Sequence, residues 1–284
     1  MMVQVRTLDH FTSHLFACLL LVTVLALPAA TGQAQSLNLA SGAKDQPIEI
    51  IADNGIEWQR ENEILIASGN AKASRDGVSV EAEVLRAYYK QKSGGGADLY
   101  RLDAAGGVRI YSGTDSIIGE TAVYDFEQAI LRVDGGKVVF KSGNDTISAT
   151  QQMEYWERQK MAVARGRAVA VQQGKTVRAD ILKALMRERK DGKSEVYMVE
   201  AFDNVLIVSE QDRVRANWGI YKVDSGVATL AGNITITRAD SILTGDQAEI
   251  NLNTGVSKLL TANHVKSKAR KKRRIRGLIY PQKQ

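Results

Sequence analysis

Side chains that do covalent or metal chemistry are scarce in this chain of 284 residues. It has one cysteine, Cys18, so no intrachain disulfide can staple the fold. Three histidines occur, and beyond residue 34 only His264 remains. That count excludes a Ser-His-acid or Cys-His catalytic set and any zinc site of His/Cys type from the body of the chain. The three prolines, Pro28, Pro47 and Pro281, leave a long interval free of proline, which suits uninterrupted sheet. Long helical periodicity is missing, and only one long apolar run is present.

That run spans Leu15 to Leu27. Arg6 precedes it, and Pro28 with small residues through Gly32-Gln33-Ala34 follows. This is the three-part layout of a cleavable signal peptide over residues 1–34. The alternative is a retained membrane anchor, but a span needs roughly 20 apolar residues and this run is shorter. Export without a later apolar span predicts release across the inner membrane, into the periplasm of a Gram-negative cell.

The net charge of +6 is local. Eight cations, Lys266, Lys268, Arg270, Lys271, Lys272, Arg273, Arg274 and Arg276, crowd the C-terminal tail of residues 266–284. Removing those eight from +6 leaves −2 for the rest. A near-neutral exported body argues against nucleic acid as a partner. The cluster from Arg270 to Arg274 reads either as a solubilising tail or as a contact for anionic head groups.

What the chain has in abundance is a repeat. An apolar–x–small–polar phrase recurs as Ile50-Ile51-Ala52-Asp53, Val80-Glu81-Ala82-Glu83, Ile117-Ile118-Gly119-Glu120 and Ile147-Ser148-Ala149-Thr150. It continues as Val177-Arg178-Ala179-Asp180, Val214-Arg215-Ala216-Asn217 and Leu243-Thr244-Gly245-Asp246, in steps of 30, 37, 30, 30, 37 and 29 residues. A second phrase alternates with it: Gly69-Asn70-Ala71, Gly106-Gly107-Val108, Gly136-Lys137-Val138, Gly166-Arg167-Ala168, Asp203-Asn204-Val205, Gly232-Asn233-Ile234 and Asn263-His264-Val265. Its glycines and asparagines suit turns or bulges. Apolar residues alternate with a period of two, so each unit of about 30 residues reads as two half-buried strands.

The pattern 30, 37, 30 restarts after 97 residues. This predicts tandem blocks of about 45–141 and 142–238 with a partial third at 239–265, all within one sheet domain over 35–265. The extra seven residues per block fall at Gln91–Leu99 and Arg187–Val196, read as protruding hairpin tips. The large residue two before each small one is always aliphatic, which predicts an inward-facing column of Ile50, Val80, Ile117, Ile147, Val177, Val214 and Leu243, with Ile48 beside its start. The acids Asp53, Glu83, Glu120, Asp180 and Asp246 recur in one column and are read as solvated strand ends, since a catalytic pair is placed once rather than five times. Gly94-Gly95-Gly96 reads as a tip, not a phosphate loop, because no helix pattern follows it. Trp58, Trp156 and Trp218 share no column and are read as core or rim packing. No cofactor, metal or catalytic residue is expected. Stacked two-strand units allow either a parallel β-helix or a folded antiparallel sheet, and short turns favour the second.

The segments Gln46-Pro47-Ile48-Glu49-Ile50-Ile51-Ala52-Asp53, Ala67-Ser68-Gly69-Asn70-Ala71 and Val80-Glu81-Ala82-Glu83 together resemble the OstA-like (LptA) family. The ending Arg274-Ile275-Arg276-Gly277-Leu278-Ile279-Tyr280-Pro281 is similar too. The resemblance implies an all-β, elongated and open-ended antiparallel β-jelly roll of V-shaped cross-section. It further implies a periplasmic bridge that carries the acyl chains of lipopolysaccharide (its lipid A) in an apolar groove, with Ile48 and Ile50 among the lipid contacts. Partners implied are an LptC-like inner-membrane protein, an LptD-like outer-membrane protein and further copies of the chain, joined head to tail. The alternatives are a membrane-anchored LptC-like subunit, a β-helical enzyme acting on polysaccharide, and a ligand-free structural repeat.

Overall fold

A computed structural model describes residues 47–172, 174–190, 194–210, 212–238, 241–254, 256–260 and 275–279. The signal segment 1–34 and the cations Arg270, Lys271, Lys272, Arg273 and Arg274 lie outside the described residues. The chain divides into two units, Met1–Thr31 and Gly32–Gln284, and every described strand belongs to the second.

The strands are β1 Glu49–Ile51, β2 Gly55–Gln59, β3 Ile64–Arg75, β4 Val78–Gln91, β5 Ala97–Ser112 and β6 Asp115–Asp125. They continue with β7 Ile130–Asp134, β8 Val138–Ser142, β9 Asp145–Ala149, β10 Gln152–Trp156, β11 Met161–Gln172 and β12 Lys175–Glu188. The last six are β13 Ser194–Val208, β14 Asp212–Lys222, β15 Val227–Arg238, β16 Ser241–Asn251, β17 Ser257–Leu260 and β18 Arg276–Ile279. All eighteen belong to one sheet and every pairing is antiparallel. The all-β antiparallel expectation holds, and the parallel β-helix is excluded.

The sheet is a meander of fourteen rungs, each bent once near its middle. Where the bend interrupts pairing a rung is divided, as in β1 with β2, β7 with β8, and β9 with β10; β17 and β18 together make the last. The bends coincide with the Gly-Asn phrase. Register shifts fall at Ser68/Ala71, Ala105/Val108, Arg165/Ala168, Phe202/Val205 and Ala231/Ile234. At each, two consecutive residues take positive φ, from Gly69 and Asn70 (80° and 42°) to Gly232 and Asn233 (79° and 51°). A bulge of two left-handed residues turns a strand without ending it. At Gly106 a Cβ would stand 2.6 Å from Glu83 Cβ, so glycine is required by space as well as by φ.

The recurring acid column needs a correction. Glu83, Glu120, Asp180 and Asp246 sit inside strands β4, β6, β12 and β16, not at strand ends. They stand at the bends, where three members of the column accept hydrogen bonds from the turn phrase of the adjoining rung. Asn70 donates to Asp53 at 2.8 Å, Asn204 to Asp180 at 2.7 Å, and the Gly136 amide to Glu120 at 3.0 Å. Asp53, Glu120 and Asp180 are therefore corner clasps.

The hairpin tips appear where expected. β4 and β5 pair out to Gln91 and Ala97, and β12 and β13 pair out to Glu188 and Ser194. Gly94-Gly95-Gly96 forms the first tip, with no helix behind it. Each hairpin holds one unpaired bulge tyrosine, Tyr100 or Tyr197, 97 positions apart. The surrounding contacts repeat at the same interval. Lys90 pairs with Glu127 at 2.9 Å and lies over Tyr100; Arg187 takes Asp224 in two bonds of 2.7 Å and lies over Tyr197.

Alternation puts one face of each rung inside a single apolar cluster drawn from β3 to β16. With every described strand in one sheet, the cover for these side chains is the other arm of the same bent sheet. Trp58 does not join the core: it is 56 % exposed on the first rung and donates to the Tyr89 hydroxyl at 2.6 Å. Trp156 and Trp218 are half-buried on the outer face, beside Met161 and Phe202 respectively.

Candidate functional site

The expected aliphatic column is half of a longer row. Register carries it from rung to rung as Ile50, Ala73, Val80, Ile110, Ile117, Phe140 and Ile147. It runs on through Ala170, Val177, Ile207, Val214, Ile236 and Leu243, and ends opposite Gly277 of β18. One residue per rung, fourteen in all, face the same side with no polar side chain among them. Inter-strand spacing of about 4.8 Å makes this path on the order of 60 Å along the sheet. All eight residues expected in the groove, Ile48, Ile50, Val80, Ile117, Ile147, Val177, Val214 and Leu243, lie in the apolar cluster or pack against it.

The complementary residues Ala73, Ile110, Phe140, Ala170, Ile207 and Ile236 were not singled out from the sequence. Each stands two positions after the last residue of a Gly-Asn phrase, so the signal was present. The facing arm was also missed. It supplies Ala67, Leu85, Ala104, Ala122, Val133, Met153, Ala164, Leu182, Ala201, Gly219, Leu230 and Ala248, another cross-strand row made only of apolar residues and glycine. A second row on that arm runs through Leu65, Ala87, Leu102, Tyr124, Leu131, Tyr155, Ala162, Ala184, Val199, Tyr221, Ala228 and Ile250.

Accessibility is uneven along these rows. From β3 to β7 they are shut apart from the half-buried Leu65: Val80 is 2 % exposed, Ile110 1 % and Tyr124 1 %. From β9 to β13 the outer rows of both arms open together. Ile147, Ala170, Val177 and Ile207 are half-buried on one arm, as are Tyr155, Ala162, Ala184 and Val199 on the other. The rows nearer the bend stay buried there, including Ala168, Ala179, Leu182 and Val205. The result is an apolar slot with a closed floor. At β14 and β15 the first wall shuts again, at Val214 and Ile236.

Charged side chains stand at the lips. In the shut stretch the lip is sealed by Val78, Ser112 and Asp115, each 3 % exposed. Burial pushes the Asp115 carboxyl above the usual carboxylate range, against hydrogen bonds from Ser142 and Thr114 that pull it down. In the open stretch the corresponding residues Gln172 and Lys175 are exposed. Inside the slot the one ionisable side chain among the eight residues above is Tyr155. Burial and then the neighbouring Glu157 carboxylate push its phenol up to about 12, so it is neutral at ordinary pH. Beyond the other lip, Arg187, Glu188, Arg189, Lys190 and Glu195 line a shallow hollow at the β12–β13 tip.

Among the described residues no group of three or more His, Cys, Asp or Glu could hold a metal ion, and no helix is long and apolar enough to cross a membrane. The arrangement offers shelter for apolar chains and charged lips.

Comparison with known proteins bears on the same stretch. Residues 148–256 match the family described as LptA/(LptD N-terminal domain) LPS transport protein. The likeness is to that family, over those residues. They take in the whole run from β10 to β16, including most of the open slot. An uncharacterized protein of Rhizobium meliloti (strain 1021) is 29 % identical over 147 residues, which cover 49 % of this chain and 77 % of that protein. LptH of Pseudomonas aeruginosa, described as the LptA-homologous periplasmic component of the lipopolysaccharide transport device, aligns at 10 % identity over 84 % of this chain and 98 % of its own, with a TM-score of 0.23.

Proposed function

We propose that this chain is a periplasmic lipopolysaccharide-transport component that shelters lipid acyl chains between the two arms of its bent sheet. The observation that carries the reading is the unbroken fourteen-residue row from Ile50 to Gly277, apolar at every rung and faced by apolar rows of the other arm. Burying one methylene is worth roughly 0.8 kcal/mol, so several long acyl chains need such cover throughout any aqueous crossing. The match of residues 148–256 to the lipopolysaccharide-transport family supports the same reading. No step requires bond chemistry; the driving energy comes from elsewhere.

The jelly-roll form of the sheet, export by cleavage of residues 1–34, and a periplasmic location belong to this proposal. So do the partners: an LptC-like protein at one membrane, an LptD-like protein at the other, and copies of the chain stacked head to tail. The end rungs support docking by strand addition. Of ten exposed large hydrophobic residues among those described, Ile51, Ile56 and Trp58 lie on the first rung, and Val256, Leu260 and Ile275 adjoin or form the last. An anionic head-group contact at Arg270, Lys271, Lys272, Arg273 and Arg274 is part of the proposal as well.

Photo-crosslinking in cells tests the function. Crosslinkers at Val177 and Ile207 should capture lipopolysaccharide, while one at Glu81 on the outer face should not. Capture at Glu81 alone would sink the groove.

A further inference from the structure

The rows are not equally available to a ligand, and the difference locates the binding. Between β9 and β13 both arms present half-buried aliphatic rows over a buried floor, and nowhere else do both walls open on the same consecutive rungs. One wall residue is also smaller than its equivalent in the shut stretch: Ala162 stands where Leu65 does 97 residues earlier. Apolar side chains left partly in water are covered favourably by an apolar guest.

The lip over the slot is the more cationic of two equivalent sites. Around the β12–β13 tip stand Lys160, Arg187, Arg189 and Lys190 against Glu188, Glu195 and Asp224. At the β4–β5 tip, beside the shut stretch, Lys90 and Lys92 stand against Glu63, Asp98 and Glu127. Four cations and three acids face two cations and three acids. Arg187 is held by Asp224 and Glu195, and Arg189 and Lys190 are exposed at the edge of the hollow, Arg189 reaching Glu195 at 3.8 Å. Guanidinium forks suit phosphate oxygens.

Resting on the lipid-transport reading, we infer that the chain holds lipid at one place, the β9–β13 slot, with its phosphorylated head group at Arg189 and Lys190. The shut stretch from β3 to β7 is a packed core in which the same row serves as structure. The track is thus a single seat per chain rather than a uniform rail, and the head group is read by the hairpin tip next to the slot.

The lone natural cysteine, Cys18, lies in the signal segment, so one engineered thiol reports cleanly in the processed chain. Val177→Cys and Ile207→Cys sample the slot, and Val80→Cys and Ile110→Cys sample the shut stretch. With purified lipopolysaccharide as probe, the first pair should react with a maleimide and be protected by lipid, and the second pair should stay unlabelled with or without lipid. Circular dichroism confirms each variant's fold. Arg189→Glu with Lys190→Glu should raise the lipid concentration for half-protection by about tenfold, a shift that dephosphorylated lipid A should not show. Equal labelling and protection at all four positions would overturn the single seat. Protection unaffected by charge reversal would overturn the head-group contact. If native mass spectrometry shows no lipid bound at all, the transport reading fails; if lipid binds but Val177→Cys and Ile207→Cys stay unprotected, this inference alone fails.

Discussion

Val80 and Val177 are the same side chain 97 residues apart, and so are Ile110 and Ile207. They occupy equivalent rungs and lie in the same cross-strand row. One pair is buried, at 2 % and 1 % exposure, and the other is half-open. The residues themselves cannot be the cause. Their surroundings differ at equivalent positions that include Leu65 and Ala162, Leu102 and Val199, Ile117 and Val214, and, on the lip, Val78 and Lys175. Losing aliphatic volume from the facing arm leaves neighbours without partners. Exchanging the lip valine for lysine removes the seal. The same sheet thus serves as core in one block and as binding surface in the next, by a few methylenes.

The sharpest way to break this contrast is to truncate both copies. Ile110→Ala should cost about 3 kcal/mol, read by denaturant unfolding, while Ile207→Ala should cost about 1 kcal/mol because its side chain is half in water already. Equal losses would mean the slot is closed in solution. The converse is a transplant. Ala162→Leu, Val199→Leu and Lys175→Val together should close the slot, raise stability by about 2 kcal/mol and abolish lipopolysaccharide binding in native mass spectrometry. Next come the bends, which both stretches share. Gly106→Ala should cost about 1–3 kcal/mol, since φ is +86° and the new Cβ meets Glu83. Gly166→Ala should cost a similar amount, at φ +85° with Gln151 Cγ 2.5 Å away.

A smaller effect distinguishes the lips. Asp115, at the shut lip, has its carboxyl raised by burial, so the folded chain holds that proton more tightly than the unfolded one. The stability this gives is full at acid pH below the ordinary carboxylate range and is lost as pH rises through the raised value. Asp115→Asn should therefore gain Tm relative to the native chain at neutral pH, and the gain should shrink on acidification. Its equivalent, Asp212, is held by Arg238 through two bonds of 2.6 and 2.8 Å. Smallest of all is the surface clamp: Arg187→Ala should leave Tm nearly unchanged, because an exposed ion pair is screened by solvent.

Much of the fold was legible in advance because it repeats. Period-two alternation marked the strands, and the spacing of Ile50, Val80 and Ile117 marked one face of every second rung. The polar member of the phrase misled, because its partner is remote in sequence: Asp53 meets Asn70, and Asp180 meets Asn204. A linear pattern shows such a residue as merely polar. The open slot was not legible for a related reason. Val177 reads like Val80, and what differs is contributed by Ala162 and Val199 on other rungs and by Lys175 at the lip. Burial is a property of the assembled rows, and single positions do not carry it.

The most direct test of the account is one charged substitution in the open row. Val177→Asp places a carboxylate on the wall of the slot, where water can still reach it. The folded variant should keep the native circular dichroism spectrum and a thermal transition close to that of the native chain, while native mass spectrometry with added lipopolysaccharide finds no bound lipid. A folded Val177→Asp chain that binds lipopolysaccharide as well as the native one would contradict the claim that this row carries the acyl chains.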